Sequence, residues 1–214
     1  RSLQEVRVAI DAIDQEIQAL ISRRAKCAQR VAEIKLTEVQ AALEAGDADA
    51  EVVYYRPERE AQVLKRIIDR NEGPLEGETV AHIFREIMSS CLALEKPLQV
   101  AFLGPEGTFT QAAAIKHFGH AGVCVPQPTI DSVFSQVESG DCNYGVVPVE
   151  NSTEGMVSHT LDNFMDSGLK ISGEVEMAIA HHLLVAGHNE KDKIVKICAH
   201  QQALAQCRNW LDAH

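Results

Sequence analysis

The sequence predicts an α plus α/β protein: an all-helical N-terminal part up to about Lys96, then strands alternating with helices. Three observations predict it. Apolar residues recur at helical spacing from Leu3 onward. At Pro97 the period changes, and Val100-Ala101-Phe102-Leu103 forms a short continuous apolar run. Beyond it, glycine-containing turns separate segments of strand and helix type.

Leu3, Val6, Ile10, Ile13, Ile17, Leu20, Cys27, Val31 and Ile34 fall at spacings of three, four or seven. They place one apolar stripe along a helix from Ser2 to about Leu43, with Ser2 as N-cap and Gly46 as stop. At 1.5 Å per residue this helix is roughly 60 Å long, against a radius of gyration of about 13 Å for a hundred-residue domain. Such a rod overshoots a compact monomer, so its stripe is expected to meet a second copy of the chain in an intertwined helical dimer. Gly46 to Glu51 is small, acidic and unpatterned, a loop. Pro57 opens a second helix carrying Ala61, Leu64, Ile67 and Ile68, which ends near Gly73-Pro74. A third follows Gly77 with Val80, Ile83, Phe84, Ile87, Cys91 and Leu94, and Pro97 stops it.

The second part is expected to run as strand 100–103, turn 104–110, helix 111–118, strand 123–125, helix 130–138, strand 144–149 and helix 156–165. β-like runs at 171–185 and 194–198 and a helix over 202–211 close the chain. Strands alternating with helices imply a largely parallel sheet, whose ligands bind beyond the strand carboxyl ends. The loops 104–110 and 150–155 lie there. A second lobe is expected to begin near Ile171 and to be cut short at His214.

The chain has 214 residues, of which 20 are Lys or Arg and 31 Asp or Glu, a net charge of −11. That balance excludes a general phosphate-backbone binder and a protein docked on anionic lipid. It leaves room for a small anion held by a few local cations. With 45% apolar and 24% charged residues, wholesale disorder is excluded. No apolar run reaches 18 residues, and the charged, periodic first residues lack the core of a signal peptide. A cytoplasmic protein, trimmed of its initiator Met, is expected. The six cysteines at 27, 91, 124, 142, 198 and 207 form no C-x-x-C pair, so neither metal nor redox cofactor is expected. His181-His182 with His188 would chelate poorly, because adjacent strand residues point to opposite faces. The sequon Asn151-Ser152-Thr153 carries no weight without a secretory signal.

Arg24 and Lys35 are three turns apart and share one helix face within about 20°, with Cα atoms roughly 16 Å apart, so both could grip one small dianion. Arg7 lies about 100° off that face and roughly 25 Å away, so only an antiparallel partner helix could bring it to the site. Arg59-Glu60 open the second helix and Glu95 closes the third. Taken singly these are ordinary solvated charges; the constellation is what points to an anion. In the second part, the glycines of 104–110 let backbone N–H groups approach an anion at a helix N-terminus, with Thr108 and Thr110 adding hydroxyls. The loop is neither a Walker A nor a G-x-G-x-x-G motif. Asn, Ser and Thr in 151–153 are ordinary caps, but Glu150-Asn151 beside the first loop suggests a carboxylate-binding cleft.

The pattern Leu3-x-x-x-Arg7-x-x-Ile10-x-x-Ile13-Asp14, then Arg24, Lys35, Arg59-Glu60 and Glu95, resembles the all-helical chorismate mutases over residues 2–96. The resemblance implies an intertwined dimer that rearranges chorismate to prephenate. Arg24 and Arg7 of the partner subunit would hold the two carboxylates, and Lys35 would donate to the ether oxygen. Arg59 would lie beside a carboxylate, and Glu60 would bind the ring hydroxyl. Glu95 stands where others have glutamine, and a carboxyl donates a hydrogen bond only when protonated. Activity is therefore expected to fall as pH rises. Arg56 stands where some relatives are acidic, after a longer loop.

Residues 100–110, 147–155 and His200-x-x-Ala203-Leu204-Ala205-Gln206-Cys207 resemble prephenate dehydratase over 98–214. Together the two parts resemble the bifunctional enzymes of bacterial phenylalanine synthesis. That family's dehydratase has two lobes like periplasmic binding proteins, with the site between them, and converts prephenate to phenylpyruvate by decarboxylating dehydration. Glu150, Asn151 and Gln206 match its site positions, and Thr108 and Ser152 join them as substrate-binding candidates from the two loops. The family's Thr-Arg-Phe motif, whose threonine would protonate the leaving hydroxyl, does not occur, and Ala199 and Gln201 replace the usual neighbours of His200. The expectation is a mutase domain at 1–96, a partial dehydratase domain at 97–214 without dehydratase activity, and no ACT domain for phenylalanine control. The implied partners are chorismate, prephenate and a second copy of the chain, with no nucleic acid, membrane or cofactor. The competing reading is a non-catalytic aromatic-acid-binding module with a helical dimerisation arm.

Overall fold

The computed structural model describes residues 2–48, 50, 52–151, 155–185, 194–199 and 201–213. Helix α1 (Leu3–Glu44) has 42 residues and starts in a capping box. The Ser2 hydroxyl accepts from the Glu5 N–H at 3.3 Å, and the Glu5 carboxylate accepts from the Ser2 N–H at 2.8 Å. Two N–H groups that an isolated helix end leaves orphaned are thereby satisfied.

α1 meets the rest of its own chain through alanines. Ala32 is buried and Ala25, Ala28, Val39 and Ala42 are half-buried. The small residues let α1 lie close against α3 (Gly77–Ala93). The larger apolar residues form a separate, uncovered face: Leu3 is 67% exposed, Ile10 51% and Leu20 56%, and Val31 and Ile34 are also exposed. α2 (Pro57–Asp69) packs on α3 around Leu64, Ile67 and Ala81, with Val63, Phe84 and Met88 at the margin.

The α/β part holds a parallel sheet of three strands in the order β2-β1-β3: β1 (Gln99–Leu103), β2 (Val123–Gln127) and β3 (Tyr144–Val146). Helices α4 (Phe109–Phe118) and α5 (Ile130–Glu138) connect them. Val100 packs with Ala114 and Phe118 of α4, whereas Ala101 packs with Val133 and Val137 of α5. Both faces of β1 are therefore covered, which is why its run is continuously apolar rather than alternating. α4 begins two residues earlier than the pattern predicts, because Thr108 caps it.

The strand expected over 144–149 stops at Val146. The chain then turns through Pro148, which has no N–H for a ladder, into the hairpin β4 (Glu150–Asn151) and β5 (Gly155–Met156). α6 is Ser158–Asp166. The expected β-runs at 171–185 and 194–198 do not form strands, so among the described residues no sheet of a second lobe appears. Ile171 is 72% exposed, Leu184 88% and Val195 98%. An apolar run becomes a strand only beside a ladder partner, and the described residues offer these runs none. The expected helix at 202–211 is two short ones, α7 (Gln201–Gln206) and α8 (Arg208–Ala213). Among the described residues, no helix is long and apolar enough to cross a membrane.

The two parts pack on each other. Tyr55, just before α2, places its ring 5.8 Å from Phe118 and 5.4 Å from Tyr144, joining the core around Leu98, Val100 and Ala114. Gly119, at φ +80°, ends α4 against α3, and a Cβ there would lie 2.5 Å from that of Ser89. The Glu86 carboxylate accepts from the His120 N–H at 3.1 Å and lies 3.0 Å from its ring Nδ1.

Candidate active site

A cavity of about 290 Å³ lies among the three N-terminal helices. α1 contributes Arg24 and Lys35, the first turn of α2 contributes Arg59 and Glu60, and the turn after α3 contributes Glu95. Tyr54, Tyr55 and Arg56 form one wall, with Val63, Met88, Cys91 and Leu92 as its apolar floor. The convergence follows from local structure. Three turns of uninterrupted helix keep Arg24 and Lys35 on one face, and Pro57 sets where α2 starts and hence where Arg59 and Glu60 point. Arg24, Lys35, Arg56 and Arg59 face only Glu60 and Glu95 among lining acids. A chain with a net charge of −11 thus carries a local excess of positive charge here.

The Lys35 ammonium donates to the Val53 carbonyl at 2.8 Å and approaches that of Tyr54 at 3.4 Å. It ties the 52–56 segment over the site and has three protons to give. Glu60 lies 3.7 Å from the Arg85 guanidinium and is hydrogen-bonded by the Tyr55 phenol. Burial pushes the Glu60 carboxyl above its usual range, and Arg85 and Tyr55 offset only part of that. Burial, with the Glu60 charge, holds the Tyr55 phenol far above its ordinary value, so it remains a proton donor. Burial also raises the Glu95 carboxyl, against the opposing charge of Lys35. The cavity is thus equipped to hold a small organic dianion while presenting an ammonium and a protonatable carboxyl to it.

Arg7 is exposed on the projecting half of α1 and does not line the cavity. Tyr55 and Arg85 are the partners of Glu60 that sequence reasoning missed. The signal for Tyr55 was available: two of the chain's three tyrosines stand together immediately before Arg56-Pro57. Arg85 left no local trace, since it meets Glu60 only when α2 packs on α3.

The α/β candidates are arranged differently. The Thr108 hydroxyl accepts from the Gln111 N–H at 3.4 Å and donates to the Leu103 carbonyl at 3.3 Å, as an N-cap does. The Gly107 N–H donates to the Gln111 side chain at 2.6 Å. Gly104 is required by close approach: its N–H donates to the Gln127 carbonyl at 2.8 Å, and a Cβ would lie 3.1 Å from that of Pro126. Glu150 is exposed opposite Met156, and Asn151 stands opposite Gly155. The fully buried Thr160 anchors this hairpin through a 2.7 Å bond to the Pro148 carbonyl. Gln206 lies 2.6 Å from the His181 ring, which packs edge-on against Phe109. His181 thus links Gln206 to the end of the first loop. Ser152, His188 and His200 lie outside the described residues. Among the described residues, no three His, Cys, Asp or Glu gather as metal ligands.

Two family models match the chain: chorismate mutase type II over residues 6–96, and prephenate dehydratase over residues 100–214. A bifunctional chorismate mutase/prephenate dehydratase of Stutzerimonas stutzeri is 58% identical over 212 residues, covering 99% of this chain and 56% of the relative. Similar proteins of the same description occur in Pseudomonas aeruginosa, at 57% identity over the same shares, and in Aquifex aeolicus, at 43% over 98% of this chain and 56% of the relative. The chain spans about half the length of these curated relatives, 56% in each case.

Proposed function

The chain belongs to the prephenate dehydratase family and carries a chorismate mutase type II domain ahead of it, and we propose that its helical cavity rearranges chorismate to prephenate. The observation that carries this reading is the convergence of Arg24, Lys35, Arg59, Glu60 and Glu95 on one cavity of about 290 Å³. The reaction is unimolecular and needs no nucleophile, metal or proton shuttle. A catalyst must select the folded conformer of the substrate and stabilise the negative charge that grows on the ether oxygen as the C–O bond breaks. Arg24 and Arg59 are the carboxylate partners, Lys35 and protonated Glu95 the donors to the ether oxygen, and Glu60 the acceptor for the ring hydroxyl.

The mutase domain is assigned residues 1–96 and the dehydratase domain 97–214. A homodimer completes the mutase site. The uncovered apolar face of α1 supports this, since burying side chains such as Leu3, Ile10 and Leu20 stabilises each by roughly 1.5–3 kcal/mol. An antiparallel second α1 would supply Arg7 as the remaining carboxylate partner. The α/β domain is the prephenate-binding part of a dehydratase of phenylalanine synthesis, with Glu150, Asn151, Ser152, Gln206 and the Thr108 loop as its substrate contacts. The protein works in the cytoplasm.

The test is to incubate the 214-residue chain with chorismate and, separately, with prephenate. Loss of chorismate with appearance of prephenate supports the mutase reading. A folded chain that leaves chorismate intact, while binding it, turns the reading to an aromatic-acid-binding module.

A further inference from the structure

We infer that Tyr55 is a positioning residue that makes the geometry of the helical cavity depend on the α/β domain: its ring is seated among α/β side chains while its hydroxyl holds Glu60. The inference rests on the mutase reading of the cavity and goes beyond it, because no residue of the α/β domain has a part in that reaction.

The 52–56 segment is held from both sides. On the helical side, Lys35 binds the carbonyls of Val53 and Tyr54, directly before Tyr55. On the other, the Tyr55 ring lies 5.8 Å from Phe118 at the end of α4 and 5.4 Å from Tyr144 on β3, edge-on to the latter. Phe118 and Tyr144 are themselves 5.1 Å apart, so the three rings form one cluster. Such contacts contribute beyond simple burial and favour a particular ring orientation. That orientation aims the phenol at Glu60, one turn into α2, whose carboxylate has Arg85 of α3 3.7 Å away. Glu60 is therefore clasped between α3 and a side chain anchored in the other domain. If α4 or β3 shifts, the Tyr55 ring shifts with it, and Glu60 loses one of its two partners.

A purely structural tyrosine would need its ring but not its hydroxyl. The charged groups around Glu60 give a readout that separates the two cases. Arg85 on α3 and the Tyr55 phenol favour the ionised carboxylate, while burial opposes it. Arg24, Lys35, Arg59 and Glu95 line the same cavity. Ionised Glu60 is the form that accepts the substrate hydroxyl. Removing the phenol raises the carboxyl further, so the acidic limb of kcat/KM moves to higher pH.

The experiment measures chorismate rearrangement by the full chain and by Y55F, with F118L as a second variant outside the cavity. For Y55F the expected result is a loss of roughly tenfold in kcat/KM near neutrality, since a hydrogen bond to a charged group is worth about that much, with the acidic limb displaced upward and thermal stability close to that of the parent. F118L, which alters the seat of the ring and the packing of α4 on β1 but no cavity residue, is expected to lower kcat/KM by a smaller factor. A Y55F chain with an unchanged rate and pH profile overturns the inference. So does an F118L chain that is folded and kinetically identical to the parent, because then the α/β domain has no hold on the site. A parent chain that does not rearrange chorismate at all overturns the mutase reading, and the inference falls with it.

Discussion

The helical cavity and the loops of the α/β domain use polar side chains in opposite ways. In the cavity, Arg24, Arg59, Glu60 and Glu95 come from two helices and the turn after a third, and converge on an open space. In the α/β loops, Thr108 caps its own helix, the Gly107 N–H bonds the Gln111 side chain, and Thr160 bonds the carbonyl of Pro148. Those polar groups are spent on the architecture that holds them. The difference teaches where to look for chemistry. Charges gathered by tertiary packing around a space need a ligand to complete them, whereas hydroxyls already paired with nearby backbone serve first as local structure.

The strongest way to break the comparison is Lys35→Ala. Loss of a preorganised donor to the ether oxygen is expected to lower kcat by about 10²–10³-fold, roughly 2.7–4 kcal/mol. Steady-state kinetics with chorismate measures it, and a kcat within a few-fold of the parent would place the chemistry elsewhere. Arg7 tests whether the helical site is completed by a second copy. R7A and R24A chains should each lose most activity. Refolded together, they should recover about a quarter of the parent rate, because mixed dimers regain one intact site. A mixture no better than its components would show that Arg7 does not act across an interface.

A smaller effect is expected at Glu95. Burial raises its carboxyl above the ordinary range, so the protonated, donating form persists to higher pH than for a free glutamate. Activity should fall as pH rises through that raised value, and Glu95→Gln, a permanent donor, should flatten the alkaline side of the rate profile. Identical profiles for the two chains would remove Glu95 from the donor set. The smallest effect tests the α/β side: Thr108→Val removes the α4 cap and should cost about 1 kcal/mol in denaturant unfolding. A stability change near zero would mean that the Thr108 hydroxyl is free for a ligand, and the contrast between the two regions would narrow.

Most of the helical part was legible in the sequence. The apolar period marked α1, Ser2 and Pro57 marked two starts, and the spacing of Arg24 and Lys35 put them on one face. Part of the site was hidden. Arg85 is 25 positions from Glu60, and only the packing of α2 on α3 brings them together. The β-runs at 171–185 and 194–198 failed for a related reason: an apolar pattern records a preference, but a strand also needs a neighbour to receive its backbone hydrogen bonds.

What the sequence determined by itself is what depends on residues within a turn or two of one another. This covers the length of α1, the cap at Ser2 and the central apolar strand β1. The tertiary structure alone decided that α1 packs on its own chain through alanines, leaving its larger apolar residues uncovered. It alone decided that Lys35 ties down the 52–56 segment and that Tyr55 reaches between the domains. Caps and helical faces arise from short-range sterics and hydrogen bonds. Which faces meet depends on side-chain shape and charge brought together across many tens of residues, and local period carries no record of that.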